Sequence, residues 1–171
     1  MKRFKFPILI LTPLLLVSLL MVSVIYASSA EQKAAGPYLV TERSVITGST
    51  QQGGNTVITG SIENIESLGT ITGTFSIDFT CVLGKPGAPR KCQGIQTIVG
   101  TVDGSAPGTF QNALKWTAGG DANFTDGHFD LIKGSGTDGL ADLVKFHGIF
   151  QRDGDAGPNG IYSGKFRFGG G

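Results

Sequence analysis

An all-β fold is what this sequence predicts: an antiparallel up-and-down barrel of about eight strands behind an N-terminal hydrophobic leader helix. Three observations carry the prediction. From Ile71 to Cys81 the side chains alternate strictly, apolar or Gly on one face and Thr, Ser or Asp on the other, which is the period of a half-buried strand. All 27 glycines fall after residue 30, and no segment beyond that point sustains a helical apolar period. The five prolines beyond residue 30 are read at turns or strand ends, where a sheet tolerates them.

The chain opens on a basic stretch, Met1-Lys2-Arg3-Phe4-Lys5-Phe6, followed by an almost uninterrupted apolar run from Pro7 to Tyr26. In Ala27-Ser28-Ser29-Ala30, Ser28 and Ala30 fit the small-residue positions that a processing enzyme reads. Residues 1–30 are therefore expected to be a signal peptide or, uncleaved, a membrane anchor, because about 18–20 apolar residues also span a bilayer. The cations stay on the cytoplasmic side. Either route puts the domain outside the cytoplasm, as a secreted, periplasmic or cell-surface protein, with membrane contact only through the leader. Residues 31–36 read as a short linker and 37–171 as the barrel domain.

Residues 1–30 hold three of the 14 basic side chains, leaving 11 against 13 acidic ones and a formal charge of −2. That balance, without Lys/Arg runs, argues against a nucleic-acid partner. The length suits one domain with a single core. Glycine makes up about a fifth of the chain after the leader, too much for a helical protein, yet no collagen triplet is present. Two Cys and two His exclude a cysteine-rich zinc site.

Taken in order, Tyr38–Ile46 and Thr56–Ile65 read as strands flanking a Gln51-Gln52-Gly53-Gly54-Asn55 turn. In the Ile71–Cys81 strand, Ile71, Phe75, Ile77, Phe79 and Cys81 share the apolar face. In an oxidising compartment Cys81 and Cys92 most simply form a disulfide, and the ten residues between them hold two Pro and two Gly. With the two cysteines opposite each other, Phe79 faces Gly94, Ile77 faces Gln96, Phe75 faces Ile98, Gly73 faces Gly100 and Ile71 faces Val102. A slip by one residue would set the apolar face against Thr97 and Thr101. This register also predicts a ring covering a cross-strand glycine at Phe79–Gly94. Thr109–Thr117 puts Phe110, Asn112, Leu114 and Trp116 on one face. Ala122–Ile132 puts Phe129 and Leu131 opposite His128 and Asp130. Val144, Phe146 and Phe150 share a face of the next strand, and Tyr162, Phe166 and Phe168 of the last. Gly139–Leu143 has room for one helical turn. Closing such strands into a barrel removes exposed edges, although a sandwich is the competing layout.

Lys133-Gly134-Ser135-Gly136-Thr137-Asp138-Gly139-Leu140-Ala141-Asp142-Leu143, with Gly148-Ile149-Phe150 beyond it, resembles a segment of an uncharacterised bacterial family whose barrel is similar to that of allene oxide cyclase. Val99-Gly100-Thr101-Val102-Asp103-Gly104 with Gly108-Thr109-Phe110 resembles the same family's strand-turn-strand signature. Together these cover roughly residues 92–151. The chain departs from the pattern at Asp138 and Asp142, where the family has Gly, and by an extra residue before Gly148. The resemblance implies an eight-stranded barrel and carries no activity or catalytic residue. By its own chemistry the Gly-Ser-Gly-Thr segment is a structural turn, its hydroxyls bonding local backbone.

Catalytic motifs are absent: there is no Gly-x-Ser-x-Gly elbow, and His128 and His147 both fall opposite the aromatic stripes. No cofactor is expected. Asp153, Asp155 and Asn159 have a calcium-like spacing, as does the Asp121–Gly127 loop, but Asp, Asn and Gly are also the commonest turn residues and no metal site is assigned. Asn123-Phe124-Thr125 fits a glycosylation sequon.

The barrel interior remains. Its expected lining is Ile71, Phe75, Ile77, Phe79, Ile98, Phe110, Leu114, Trp116, Phe129, Phe146, Tyr162 and Phe166, with Gln96 and Asn112 as the polar members. Eight strands enclose either a solid core or room for one small ligand. In a solid core, Gln96 and Asn112 would bond to backbone near the rims. Otherwise Phe75, Ile77, Gln96, Asn112, Trp116, Phe146 and Tyr162 are the candidate ligand-binding residues, and an apolar small molecule is the expected partner. Three readings follow: a binding barrel without catalysis, a solid structural or interaction module at the cell surface, and a cyclase- or isomerase-like enzyme by fold analogy alone.

Overall fold

The computed structural model describes residues 30–42, 44–85, 88–118, 125–152 and 159–170. The leader, the Asp121–Phe124 part of the first calcium-like loop and the pair Asp153 and Asp155 lie outside the described residues. Among the described residues nine strands follow one another: β1 (Gln32–Val40), β2 (Val45–Gln52), β3 (Asn55–Ser67), β4 (Ile71–Leu83), β5 (Arg90–Val102), β6 (Gly108–Ala118), β7 (Thr125–Leu131), β8 (Leu143–Arg152) and β9 (Gly160–Phe168). A 3-10 turn, Asp138–Leu140, occupies part of the segment where one helical turn was expected. Among the described residues no helix is long and apolar enough to cross a membrane.

All pairings are antiparallel and sequential from β2 to β9, and β9 then pairs with β1. The ring closes where β1 meets the end of β3, Tyr38 opposite Ser67 and Val40 opposite Ile65. Eight strands thus form the barrel, as expected, and β2 is a ninth strand outboard of it, bonded to the first half of β3.

One residue makes this sharing of β3 possible. Asn64 adopts a left-handed conformation (φ 54°), which Asn tolerates better than most residues. It sits in a bulge where the β3–β4 register shifts between Ile62 and Ile65, and a bulge bends its strand. The first half of β3 therefore faces β2 and the second half faces β1. Thr41 Oγ1 donates to the Asn64 carbonyl at 2.6 Å, and Asn64 Nδ2 donates to Glu42 Oε1 at 2.7 Å.

Several boundaries differ from the sequence reading. Tyr38–Ile46 is not one strand: β1 ends at Val40 and β2 begins at Val45. Gln32–Gly36, read as linker, belong to β1, because they pair with Tyr162–Phe166 of β9. Val144 points outward and is 42% exposed, while Leu143 takes its place in the core. The cause is a register shift between Leu143 and Lys145 that inserts Val144 as an extra residue.

The β4–β5 register is the one the disulfide implied. Cys81 lies opposite Cys92 and is bonded to it, and Ile77–Gln96, Phe75–Ile98, Gly73–Gly100 and Ile71–Val102 are paired as expected. The glycine beneath the Phe79 ring differs. A Cβ on Gly60 of β3 would meet that ring at 2.7 Å, whereas one on Gly94 would meet Asp78 backbone. The ring therefore leans toward β3 instead of β5.

The aromatic faces point inward. Phe75, Ile98, Phe110, Phe129, Phe146, Tyr162 and Phe166 belong to one buried cluster, with Trp116 packed against it. Phe79 and the disulfide form a smaller cluster that Trp116 also touches. Leu140 of the 3-10 turn is fully buried among the core residues.

In the Gly-Ser-Gly-Thr segment the Ser135 and Thr137 hydroxyls bond to β6 and not to local backbone, while the Ser135 N–H closes a local turn on the Ile132 carbonyl at 3.1 Å. Ser135 Oγ accepts the Gln111 N–H at 2.9 Å, Thr137 N–H donates to the Thr109 carbonyl at 2.9 Å, and the two threonine hydroxyls share a bond of 2.8 Å. It satisfies the edge of β6 beyond the point where β7 stops pairing. Its role is structural, at longer range than the sequence indicated.

Candidate functional site

The interior is not filled by side chains. A cavity of about 660 Å³ runs through it, within the range of small-molecule sites. Six of the seven candidate residues line it: Phe75 and Ile77 from β4, Gln96 from β5, Trp116 from β6, Phe146 from β8 and Tyr162 from β9. Strand alternation brings them together, because each occupies an inward position of its own strand. Val40, Ile62, Ile65, Ile71, Ile98, Leu114, Phe129 and Phe150 extend the apolar wall.

Asn112 is the exception. It is fully buried behind the wall and does not line the cavity. It lies directly opposite Gln96, and its Nδ2 donates to Gln96 Oε1 at 2.9 Å. The pair therefore bond to each other in mid-strand, not to backbone at the rims. Phe79, Phe110 and Phe166, expected in the lining, are packed away from it: Phe79 beside the disulfide, and Phe110 and Phe166 in the solid part of the core. Phe110 is edge-on to Phe146 at 5.4 Å, and Phe146 stacks on Phe129 at 4.8 Å.

The cavity reaches the surface at Thr41, Glu42, Ser44 and Arg152. Sequence reasoning passed over these residues, together with Tyr38 and Ser67, which also line it. Glu42 is exposed, and its carboxylate receives Asn64 Nδ2. Tyr38 donates its hydroxyl to the Gln151 carbonyl at 3.4 Å. Burial pushes its phenol up to about 12, against an opposing pull from the Arg152 cation. Tyr162 is held above the ordinary phenol range by burial, opposed by its hydrogen bonds to Ile71 backbone and the Ser67 side chain.

The remaining candidates lie outside the cavity. His128 is exposed, and His147 is half-buried with a buried Nε2 that has no partner among the described residues. They sit on adjacent strands but are not opposite each other: His128 faces Ile149, and His147 faces Asp130. Asn159 Oδ1 accepts the Val40 N–H at 3.1 Å. No three His, Cys, Asp or Glu side chains converge among the described residues. Away from the cavity, Glu31 is ion-paired with Lys145 and lies 3.8 Å from Lys165. The Lys145 hydrogen bond foremost holds its carboxyl below the usual range.

The arrangement is a largely apolar chamber with a few polar groups in its wall, the Gln96 amide and the hydroxyls of Tyr38, Ser67 and Tyr162, and a charged mouth. It can hold an apolar molecule and orient it by a hydrogen bond. No protein-family model matches the chain, and no curated protein matches it. Among solved structures it is similar to a protein of unknown function from the DUF3224 family of Shewanella oneidensis MR-1. The TM-score is 0.59 at 15% identity, over 82% of this chain and 98% of that one. What the two chains share at that identity is the barrel fold.

Proposed function

We propose that this barrel is an extracytoplasmic binding protein for an apolar small molecule, without catalysis. The observation that carries the reading is the cavity of about 660 Å³ with its largely apolar wall. Burying apolar ligand surface there is worth roughly 25 cal/mol per Å² before the costs of association. The extracytoplasmic part rests on the apolar leader and on the Cys81–Cys92 disulfide, which suits an oxidising compartment. The solid-module reading has less support, because it requires a filled interior.

The kinship with an allene-oxide-cyclase-like bacterial group belongs to the same proposal, supported by the motifs in residues 92–151. The cyclase-like activity has weaker support. It needs an acid or base buried beside the ligand, whereas among the described residues the acid lining the cavity is Glu42, exposed at the mouth.

Trp116 is the single tryptophan of the chain and lines the cavity, so its fluorescence reports occupancy. Titrating the protein with aminoanthracene, a neutral apolar fluorophore, should quench Trp116 saturably at one site. Ile98→Phe, which adds bulk inside the wall and leaves Trp116 the single tryptophan, should weaken that binding. Unsaturable quenching, equal in both proteins, would reject the reading.

A further inference from the structure

We infer that the cavity selects an apolar molecule bearing a neutral carbonyl acceptor, held by the side-chain amide of Gln96; this rests on the binding function proposed above. Gln96 occupies the middle of β5, between Ile77 and Asn112 on the neighbouring strands. Around it the cavity wall is Ile77, Ile98, Leu114 and Trp116. Its Oε1 is taken by Asn112 Nδ2 at 2.9 Å, so its Nε2 keeps two N–H donors. No described residue accepts from them.

The direction of the Asn112–Gln96 bond follows from satisfaction. Asn112 is completely buried, and one of its amide atoms, Oδ1, has no partner. Exchanging oxygen and nitrogen in both amides would put an NH2 group in that unpartnered place. As placed, Asn112 leaves one N–H and its Oδ1 unmet; the exchange would leave two N–H groups unmet, and an unpaired donor costs more than an unpaired carbonyl. Asn112 is therefore a positioning residue that turns the Gln96 oxygen toward β6 and leaves the NH2 for a ligand.

Gln96 is half-buried and its NH2 opens onto the cavity, so a ligand that displaces water there must supply an acceptor or leave the amide unmet in apolar surroundings. A ligand oxygen delivered to it forms a hydrogen bond under those conditions, and a hydrocarbon of the same shape leaves it unmet. Sites built around a buried polar group reject the analogue that lacks the matching atom. A carboxylate is disfavoured at this depth, because the charged lining residues, Glu42 and Arg152, lie at the mouth and an ion buried without a counter-charge is expensive. Ketones, aldehydes and esters fit.

Fluorenone and fluorene share one ring skeleton and differ by a carbonyl against a methylene. Calorimetry with the full chain should find fluorenone bound roughly tenfold tighter, and Gln96→Leu should bring it down to the level of fluorene. Independently of any variant, the infrared carbonyl stretch of bound fluorenone should move to lower frequency than in hydrocarbon solvent. Equal affinities with an unshifted stretch would overturn the Gln96 assignment and leave the apolar cavity reading intact. Binding of neither compound would overturn both.

Discussion

The Tyr162 hydroxyl accepts the backbone N–H of Ile71 at 2.8 Å and donates to the Leu68 carbonyl at 3.2 Å. It thereby ties the last strand to the turn between β3 and β4. A Cβ at Gly36 would lie 2.8 Å from the same oxygen, so β1 passes directly beneath the latch. Tyr162→Phe keeps the ring and orphans the buried Ile71 N–H. The expected loss is about 1–3 kcal/mol of unfolding free energy, read as a lower urea midpoint with an unchanged m-value.

The disulfide closes a short loop, with a sequence separation of 11. Replacing Cys81 and Cys92 together by Ser should cost ~2–3 kcal/mol through freedom returned to the unfolded chain. The double variant should still give a strand-rich far-ultraviolet spectrum, because alternation independently fixes the β4–β5 register. Loss of that spectrum would mean that the bond, and not the pattern, dictates the pairing.

Gly127 of β7 lies opposite Phe150 of β8. A Cβ there would come within 2.3 Å of the Phe150 ring and 2.6 Å of Trp116 Cβ. Gly127→Val should destabilise the barrel by about 1–3 kcal/mol through overpacking and alter Trp116 emission. Phe150→Leu in the same background should recover part of the loss, which thermal melts of the two variants will measure.

Tyr38 gives stability a dependence on alkaline pH. Its phenol is pushed to about 12 in the folded protein, against 10 for an ordinary tyrosine. A raised value means the contribution is complete below pH 10 and is lost as pH climbs toward 12. Across that window Tyr38 removes about 1.4 kcal/mol per pH unit, and Tyr162, shifted in the same direction, adds to the decline. Tyr38→Phe should flatten the slope of stability against pH above 10, followed by urea titrations and tyrosinate absorbance.

The pairing of β4 with β5 was readable in the sequence because two unrelated constraints, the alternation and the cysteines, select one register. The inward positions of Phe75, Trp116, Phe146 and Tyr162 followed from parity alone. Parity fails where a strand gains a residue. Val144 continues the alternation of Phe146 on paper, yet a bulge turns it outward. Asn64 bends β3 with no Gly or Pro to announce it, so neither the end of β1 at Val40 nor the outboard strand was visible. The mouth was missed for a different reason: Thr41, Glu42 and Arg152 are polar residues at strand ends, a composition shared with any solvated turn. The bond between Asn112 and Gln96 needs the β5–β6 register, which no cysteine pair fixes.

Eight strands complete the hydrogen-bonded ring without β2. Gly53 and Gly54, at the tip of the β2–β3 hairpin, have open space where a Cβ would stand. Foreign sequence spliced in at that tip would lengthen an appendage while the circuit beneath it stays continuous. The molecule thus comes with a graft point for displaying a peptide on a rigid cylinder.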